Sequence, residues 1–345
     1  MFHLSELTAP IVCAPMAGGT STVDLVVAVS SAGGLGFLAA GYKTPAAVAA
    51  QIGELRARQA RPFGVNLFVP EPRRADRVAI TAYRDRLAPE ARRMGVDLPE
   101  PDWSADDHWA EKLNVVLSSP VPVVSFTFGL PPTDVVADLH RAGTWVVATV
   151  TAPDEALAAA RVGVDALCVQ GPDAGAHRGV HDATKPHDAT PLAALVRQVR
   201  MASSLPIIAA GGLSSGTDIA DVLRSGADAG QLGTAYLRTP ESGATPTHKA
   251  ALADPRFVRT VVTRAFSGRL ARGLHNRFID AHDAAAPVGY PQVDQLTKPI
   301  RAAAATAGDP HTLSLWAGTG YRDATDEPAE EVTRRLWADA ATNLS

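Results

Sequence analysis

Cysteine, long apolar runs and an excess of charge of either sign are scarce in this sequence of 345 residues. Its two cysteines, Cys13 and Cys168, are too few for a disulfide framework and show no metal-ligand spacing. The apolar runs are of strand length and broken by glycine, so none reaches the roughly 20 residues of a membrane span. The net charge is −4, without a basic stripe, so nucleic acid is not an expected partner.

The N-terminal residues lack a targeting pattern as well. MFHLSELTAP has no basic region followed by a long apolar run, as a secretory signal would. We therefore expect a soluble cytoplasmic protein with no membrane partner and no metal. Hydrophobic residues make up 46% of the chain and charged residues 20%, which allows a sizeable core. The oligomeric state stays open, and a homodimer is compatible with the sequence.

Short, apolar, β-branched runs alternate with amphipathic stretches of helix length. Eight runs are predicted strands: Ile11–Gly18, Leu35–Gly41, Phe63–Val69, Val123–Gly129, Thr144–Val150, Ala166–Gly171, Pro206–Gly212 and Ala229–Leu237. The predicted helices between them are Val23–Ser31, Pro45–Gln59, Thr133–Ala142, Pro153–Val162, Pro191–Ala202 and Gly216–Ser225. Apolar strands separated by helices favour a parallel sheet covered on both faces. Eight such units favour an α/β fold of the (β/α)8 TIM-barrel type over a doubly wound open sheet.

Two regions interrupt this alternation and suggest added domains. We predict a barrel domain from residues 1–70 and 120–240, with a helical insertion at 71–119. The insertion carries an Arg-rich amphipathic stretch, Arg73–Gly95, which we interpret as a solvated helix and not as a phosphate site. Residues 241–345 are predicted to form a mostly helical cap, the substrate domain, whose last helix (Ala329–Ala341) can pack back on the barrel.

The chemistry of a TIM barrel belongs at the carboxyl ends of its strands. Met16 follows the first run, Asn66 lies in the third, and Gln170 ends the sixth. Gly211 and Gly212 end the seventh run, just before a predicted helix. Free N–H groups at a helix start, with no Cβ in the way, favour an anion. The eighth run adds a second such segment, Gln231, Leu232, Gly233 and Thr234, so the last two units together predict a phosphate-binding site.

His177 stands in a loop of small residues, VQGPDAGAHRG (Val169–Gly179), after the sixth run. One interpretation is a loop histidine bonded to backbone. The other is a catalytic group, because histidine titrates near neutral pH and small neighbours let a planar molecule approach. Its position favours the catalytic role. The other nine histidines, including His181 and His187 in the same loop, lack comparable context.

These motifs, in this order and spacing, resemble the FMN-dependent nitronate monooxygenases. The resemblance rests on APMAGGTS, GVNLF, VQGPDAGAHRG, PIIAAGGL and GQLGTAYL. TRAFSGRLARGLHNRFI (Thr263–Ile279) and YPQVDQLTKPIR (Tyr290–Arg301) are similar to C-terminal motifs of the class I bacterial branch. Together they cover most of the chain, from Ala14 to about Arg301.

The resemblance implies a bound FMN and assigns roles by position. Asn66, Gln170 and Gly175 would contact the flavin and its ribityl chain, and His177 would be the catalytic residue. The remaining expected cofactor contacts are Met16, Gly211, Gly212, Gln231, Leu232, Gly233 and Thr234, with the phosphate at Gly212 and the last four. Tyr290 and Lys298 would lie near the substrate.

The implied reaction is oxidation of an alkyl nitronate, such as propionate 3-nitronate, by O2 to a carbonyl compound and nitrite, without NAD(P)H. The substrate partners would be a nitronate or nitroalkane and O2. Two positions depart from the family's loop: Asp173 replaces Glu, and Ala176 replaces the second Gly. Ala176 adds a methyl beside the histidine and needs a backbone conformation compatible with Cβ.

Two alternatives remain. An NAD(P)H-dependent flavin reductase of the same fold, a quinone or enoyl-acyl carrier protein reductase, carries a similar histidine loop. The HRG ending of the loop and the C-terminal motifs favour the nitronate branch. A non-catalytic barrel that binds a phosphate ligand is the other alternative, and the presence of His177 argues against it.

Overall fold

A computed structural model describes residues 2–60, 62–71 and 75–345. Its strands are β1 (Ile11–Cys13), β2 (Leu35–Ala39), β3 (Phe63–Phe68), β4 (Val123–Thr127), β5 (Trp145–Val150), β6 (Ala166–Gln170), β7 (Ala176–His177), β8 (Ile207–Ala210), β9 (Ala229–Leu232), β10 (Thr260–Thr263) and β11 (Ala271–Leu274). The first six, with β8 and β9, form a closed parallel barrel. Pairing of β9 with β1, Val12 opposite Gln231, completes the closure. The predicted eight strands and the TIM-barrel fold are therefore confirmed.

Helices follow the barrel strands and extend into the cap. They are α1 (Val23–Ser31), α2 (Pro45–Ala57), α3 (Arg77–Met94), α4 (Trp109–Ser118), α5 (Thr133–Arg141), α6 (Pro153–Val162), α7 (Leu192–Ala202), α8 (Gly216–Arg224), α9 (Pro246–Ala253), α10 (Arg277–His282), α11 (Gln292–Ala307) and α12 (Ala329–Leu344). Thr22 and Thr44 cap α1 and α2 by accepting backbone N–H groups. The six predicted helices match α1, α2 and α5–α8 to within two residues at each end. None of the described helices combines the length and apolarity that crossing a membrane requires.

The barrel separates two apolar layers. Side chains that alternate along the strands fill its interior, among them Val12, Phe37 and Ile208. Phe2 closes the amino-terminal end of this interior, with its ring 5.5 Å from that of Trp145. The opposite faces of the strands pack against the surrounding helices in a larger cluster. The sealed amino-terminal end leaves the carboxyl end as the open face of the barrel.

The cap contains a small sheet that the sequence analysis did not predict. Strands β10 and β11 form an antiparallel pair, and β7 joins the free edge of β11. In this register Ala271 lies opposite His177. The loop that follows β6 therefore ends in β7, a strand of the cap sheet. This strand joins the cap to the barrel.

Helix α3 is not merely the solvated helix that the Arg-rich stretch suggested. Its residues Ile80, Tyr83 and Leu87 lie on one face and are buried with Phe266 and with apolar residues of α11. The Tyr83 hydroxyl donates to the Ala265 carbonyl at 2.6 Å. This spacing places an apolar stripe on one side of the helix and leaves the arginines on the other. Arg73 and Arg74, with which the predicted stretch begins, lie outside the described residues.

Helix α12 packs on the barrel between α8 and α1. The approach to α8 is close, because a Cβ added at Gly216 would come within 2.4 Å of Asp339. The Tyr236 hydroxyl lies 2.8 Å from that of Thr333 and fixes the helix from the barrel side. Helix α12 thus takes the position of the eighth barrel helix, the one that pairs with β9. The cap is inserted in the chain between β9 and α12.

Candidate active site

A cavity of about 460 Å³ opens where the barrel strands end, beneath the cap. Twelve of the thirteen predicted site residues line it: Met16, Asn66, Gln170, Gly175, His177, Gly211, Gly212, Gln231, Leu232, Gly233, Thr234 and Lys298. Tyr290 is not among the lining residues, but its ring lies 5.8 Å from the His177 ring. The structure therefore brings the predicted residues to one place, with Tyr290 in the layer beside it.

His177 is held at the cavity wall by contacts from barrel and cap. Its Nε2 lies 2.8 Å from the Ser267 hydroxyl. Its ring stands edge-on to Phe128 at 5.7 Å and tilted against Trp316, also at 5.7 Å. Ser267 and Trp316 belong to the cap, whereas Phe128 follows β4. The orientation of the imidazole is therefore fixed only when the cap is in contact with the barrel.

The loop before His177 is fixed through Gln170. Its Nε2 donates to the His177 carbonyl at 3.0 Å, and its Oε1 accepts from the Gly179 N–H at 2.8 Å. The buried Arg178 guanidinium donates to the carbonyls of Gln170 and Gly171. Gln170, predicted as a flavin contact, thus lines the cavity while its amide braces the histidine loop.

Two neighbours of His177 have special backbone requirements. Ala176 has φ +61°, in the left-handed region that glycine adopts without strain. A Cβ added at Gly175 would come within 2.5 Å of the Gly318 nitrogen. The segment therefore lies flat against the cap, and the methyl group of Ala176 is tolerated at a cost in strain.

Positive charge surrounds His177. The Arg269 guanidinium, 1% exposed at its side chain, pairs with Glu71 at 3.0 Å and lies 4.1 Å from the centre of the Phe128 ring. Arg301 pairs with Asp294 at 2.7 Å. Burial, and then the charges of Arg269 and Arg301, lower the pKa of His177 to about 3. The imidazole is therefore neutral at pH 7.

Lys298 adds a cation at the mouth of the cavity. It is exposed and lines the cavity with Asp294 and Arg301. No acidic partner pairs with Lys298 among the residues that the structure describes. With Arg269 behind His177, these groups favour an anionic ligand on this side of the cavity.

The glycines that follow β8 and β9 form a cradle at the carboxyl end of the barrel. Gly211 has φ +114° and Gly212 has φ +78°. A Cβ at Gly212 would come within 2.7 Å of Asp173. Across the described residues, the backbone N–H groups of Gly212 and Gly233 have no hydrogen-bond partner. Open amides in a cradle without Cβ atoms fit a phosphate group.

The first turn of α8 contributes less to this cradle than the sequence suggested. Asp218 accepts from the backbone N–H groups of Ser214 and Ser215, both at 2.9 Å. Thr234 accepts from the Gly318 N–H at 2.9 Å, so its hydroxyl joins the cradle to the cap. The amides available to a phosphate are therefore those of the glycines, and not those of the serines.

Two side-chain amides from barrel strands, those of Asn66 and Gln231, line the cavity. Asn66 donates through Nδ2 to the hydroxyls of Ser125, at 2.9 Å, and Thr127, at 3.0 Å. Gln231 donates through Nε2 to the Cys168 sulfur at 3.3 Å. Each keeps a carbonyl oxygen with no protein partner among the described residues. Both can therefore accept from N–H or O–H groups of a bound cofactor.

Sequence reasoning missed Ser267, Trp316 and His248, all of which belong to the cap. Ser267 lies in the motif Thr263–Ile279, but nothing in that motif indicates that its hydroxyl reaches His177. His248 had no glycine-rich context and follows no barrel strand. Among the described residues no three His, Cys, Asp or Glu side chains are grouped to hold a metal ion.

Known proteins are similar to this chain in both sequence and fold. The family model described as nitronate monooxygenase matches residues 2–339. A probable nitronate monooxygenase of Staphylococcus aureus (strain Newman) is 36% identical over 340 residues, which cover 97% of this chain and 95% of that protein. A nitroalkane oxidase from Streptomyces ansochromogenes has a similar structure, with a TM-score of 0.94, 48% identity and 99% of each chain covered. FabK from Thermotoga maritima is similar at a TM-score of 0.77 and 25% identity, covering 99% of this chain and 96% of that one.

Proposed function

The chain belongs to the nitronate monooxygenase family, and on that premise we propose that it oxidises alkyl nitronates with O2. The products are a carbonyl compound and nitrite. Propionate 3-nitronate is a representative substrate, FMN is the cofactor, and NAD(P)H is not required. A neutral nitroalkane is a slower substrate, because it must first lose a proton.

The observation that carries this proposal is the placement of His177. A neutral imidazole stands at the wall of the cavity that the glycine cradle also lines, under the influence of the charges of Arg269 and Arg301. Such a group can take a proton from a carbon acid and then stay beside the anion that forms. The flanking arginines stabilise that anion.

The residues present fit FMN. Gly212 and Gly233 would hold its phosphate through their open amides, and Asn66 and Gln231 would accept from its polar groups. Gln170 and Gly175 would border the ring, with Met16 on the side of β1. When bound, the flavin supplies the electron transfer between the nitronate and O2, and the protein positions both.

The chain's own residues orient the substrate and move its proton. The cationic groups Arg269, Arg301 and Lys298 draw the nitronate to the His177 side of the cavity. With a neutral nitroalkane, Nδ1 of His177 takes the proton from the α-carbon. The resulting Nδ1–H then donates to a nitronate oxygen, while Ser267 holds Nε2.

Two measurements on the purified holoenzyme test the proposal. Propionate 3-nitronate in air, without NADH, is expected to consume O2 and release nitrite. Under anaerobic conditions the nitronate is expected to bleach the flavin faster than NADH does. Rapid bleaching by NADH alone would instead identify a flavin reductase of the same fold. A purified protein that neither carries nor takes up FMN would support a non-catalytic barrel.

A further inference from the structure

A second histidine, His248, faces the cavity from α9 and has no part in the function proposed above. It lines the same cavity as His177. The lining also includes Leu237, Leu313 and Leu315, together with the hydroxyl-bearing residues Thr245 and Ser314. The Asp, Lys and Arg side chains in the lining, by contrast, all come from α11. His248 therefore adds a ring nitrogen to a part of the lining that the charged residues of α11 do not supply.

The protonation of the His248 ring follows from its one hydrogen bond. Nε2 lies 3.0 Å from the Trp316 carbonyl oxygen, which can only accept, so Nε2 carries the proton. Burial lowers the pKa of His248 to about 4, although the bond to Trp316 opposes the shift. The ring is thus neutral at pH 7, with an unprotonated Nδ1. This Nδ1 has no hydrogen-bond partner among the described residues.

Trp316 connects the two histidines of the cavity. Its ring lies 5.7 Å from the ring of His177, and its carbonyl accepts from His248. A substrate whose nitronate group lies beside His177 can therefore extend past Trp316 toward Nδ1 of His248. Leu313 and Leu315, which also line the cavity, offer apolar contacts to a carbon chain.

Resting on the proposed function, we propose that His248 determines substrate specificity. Its Nδ1 accepts a hydrogen bond from a hydroxyl or N–H group on the carbon chain of the nitronate. The preferred substrates are then nitronates that carry such a donor, and nitronates without one, including plain alkyl nitronates and propionate 3-nitronate, are oxidised less efficiently. An acceptor without a protein partner discriminates in this direction, because the analogue without the donor leaves it unpaired.

The test compares two nitronates of nearly equal size, those of 2-nitroethanol and 1-nitropropane, which differ by a hydroxyl in place of a methyl. The specificity ratio is kcat/KM for the first divided by kcat/KM for the second. We expect the unmodified enzyme to favour the hydroxylated substrate about fivefold to tenfold. The ratio cancels differences in flavin content between preparations.

Two variants distinguish the role of Nδ1 of His248 as an acceptor from the hydrogen bond between Nε2 and the Trp316 carbonyl. His248→Asn keeps an oxygen near the position of Nδ1 but loses the donor to Trp316, whereas His248→Gln keeps that donor and moves its acceptor oxygen away from the position of Nδ1. We expect His248→Asn to keep the specificity ratio and to melt at a lower temperature. His248→Gln should melt near the unmodified temperature and bring the ratio close to one.

The outcomes distinguish this inference from the proposed function. If the unmodified enzyme oxidises both nitronates but shows no preference, or if His248→Gln keeps the preference, the specificity role of His248 is wrong and the function stands. If the unmodified enzyme oxidises neither nitronate, the proposed function has failed, and the specificity role with it.

Discussion

The Nε2 atom of His177 lies 2.8 Å from the hydroxyl of Ser267, which reaches it from the cap. The Ser267 hydroxyl also lies 3.3 Å from the Arg269 carbonyl, to which it can donate its own proton. With that proton engaged, Ser267 accepts from Nε2–H of His177. The lone pair of the imidazole is then on Nδ1, the atom that we propose as the base.

Replacing His177 tests its role as this base. In His177→Asn we expect FMN to stay bound, because the cradle at Gly212 and Gly233 is unchanged. Turnover of a neutral nitroalkane should fall about 100-fold or more, the range for loss of a general base. Turnover of a preformed nitronate should fall less, since no carbon proton has to be removed.

The control for this variant is His187→Asn, which alters a histidine of the same loop that lies outside the cavity lining. It should leave both substrates unaffected. Unchanged nitroalkane turnover in His177→Asn, measured at equal flavin content, would remove His177 from the mechanism.

Ser267→Ala tests the positioning of the imidazole. Without the hydroxyl, Nε2–H loses its acceptor and the ring can turn or change tautomer. We expect kcat for a nitroalkane to fall about tenfold, with FMN affinity unchanged. Ser267→Thr, which keeps the hydroxyl, should recover part of the loss. Equal losses in the Ala and Thr variants would point to packing and not to the hydrogen bond.

Ala176→Gly tests the backbone strain beside His177. At φ +61° an alanine is strained and a glycine is not, so the free energy of unfolding should rise by up to about 1 kcal/mol. Ala160→Gly is the matched control, because Ala160 is exposed in α6 and glycine should cost about 1 kcal/mol there. Urea unfolding measures both. A loss of stability in Ala176→Gly comparable to that in Ala160→Gly would contradict the strained conformation.

Gly212→Ala tests the phosphate cradle. The added Cβ would come within 2.7 Å of Asp173, at a backbone φ of +78°. We expect FMN affinity to fall tenfold or more, as measured by flavin fluorescence titration. Gly53→Ala in α2 is the control, because its Cβ would meet nothing within 4 Å. Unaltered FMN binding in Gly212→Ala would place the phosphate elsewhere.

The buried histidines predict how stability depends on pH. In the folded protein the pKa values of His177 and His248 are about 3 and about 4, against 6.5 for an ordinary histidine. Between these values the unfolded chain binds more protons than the folded protein. The free energy of unfolding should therefore fall as pH drops from about 6.5 toward 4. In His177→Asn the decrease should be shallower in a urea-unfolding series, and an identical decrease would show that His177 is not buried as a neutral group.

The barrel could be predicted from sequence because each of its units is local. The run Ala166–Gly171 and the helix Pro153–Val162 are each recognisable within a dozen residues, and β6 and α6 form there. The glycines at 211 and 212 could be predicted for the same reason, since they follow directly on a strand.

The rest of the site depends on contacts between residues far apart in the chain. Strand β7 is only two residues long, and it exists because Ala271 pairs with His177 across the cap. No local pattern shows that Ser267 reaches Nε2, that Trp316 packs on the ring, or that His248 faces the cavity. Sequence reasoning therefore located the histidine that we propose as catalytic but not the residues that orient it.

Nitrite release from propionate 3-nitronate in air, without NADH, tests the central claim most directly. The proposed function predicts nitrite formation with matching O2 consumption by the FMN-loaded enzyme, and no further stimulation by NADH. No nitrite without NADH, together with rapid flavin bleaching by NADH under anaerobic conditions, would contradict it.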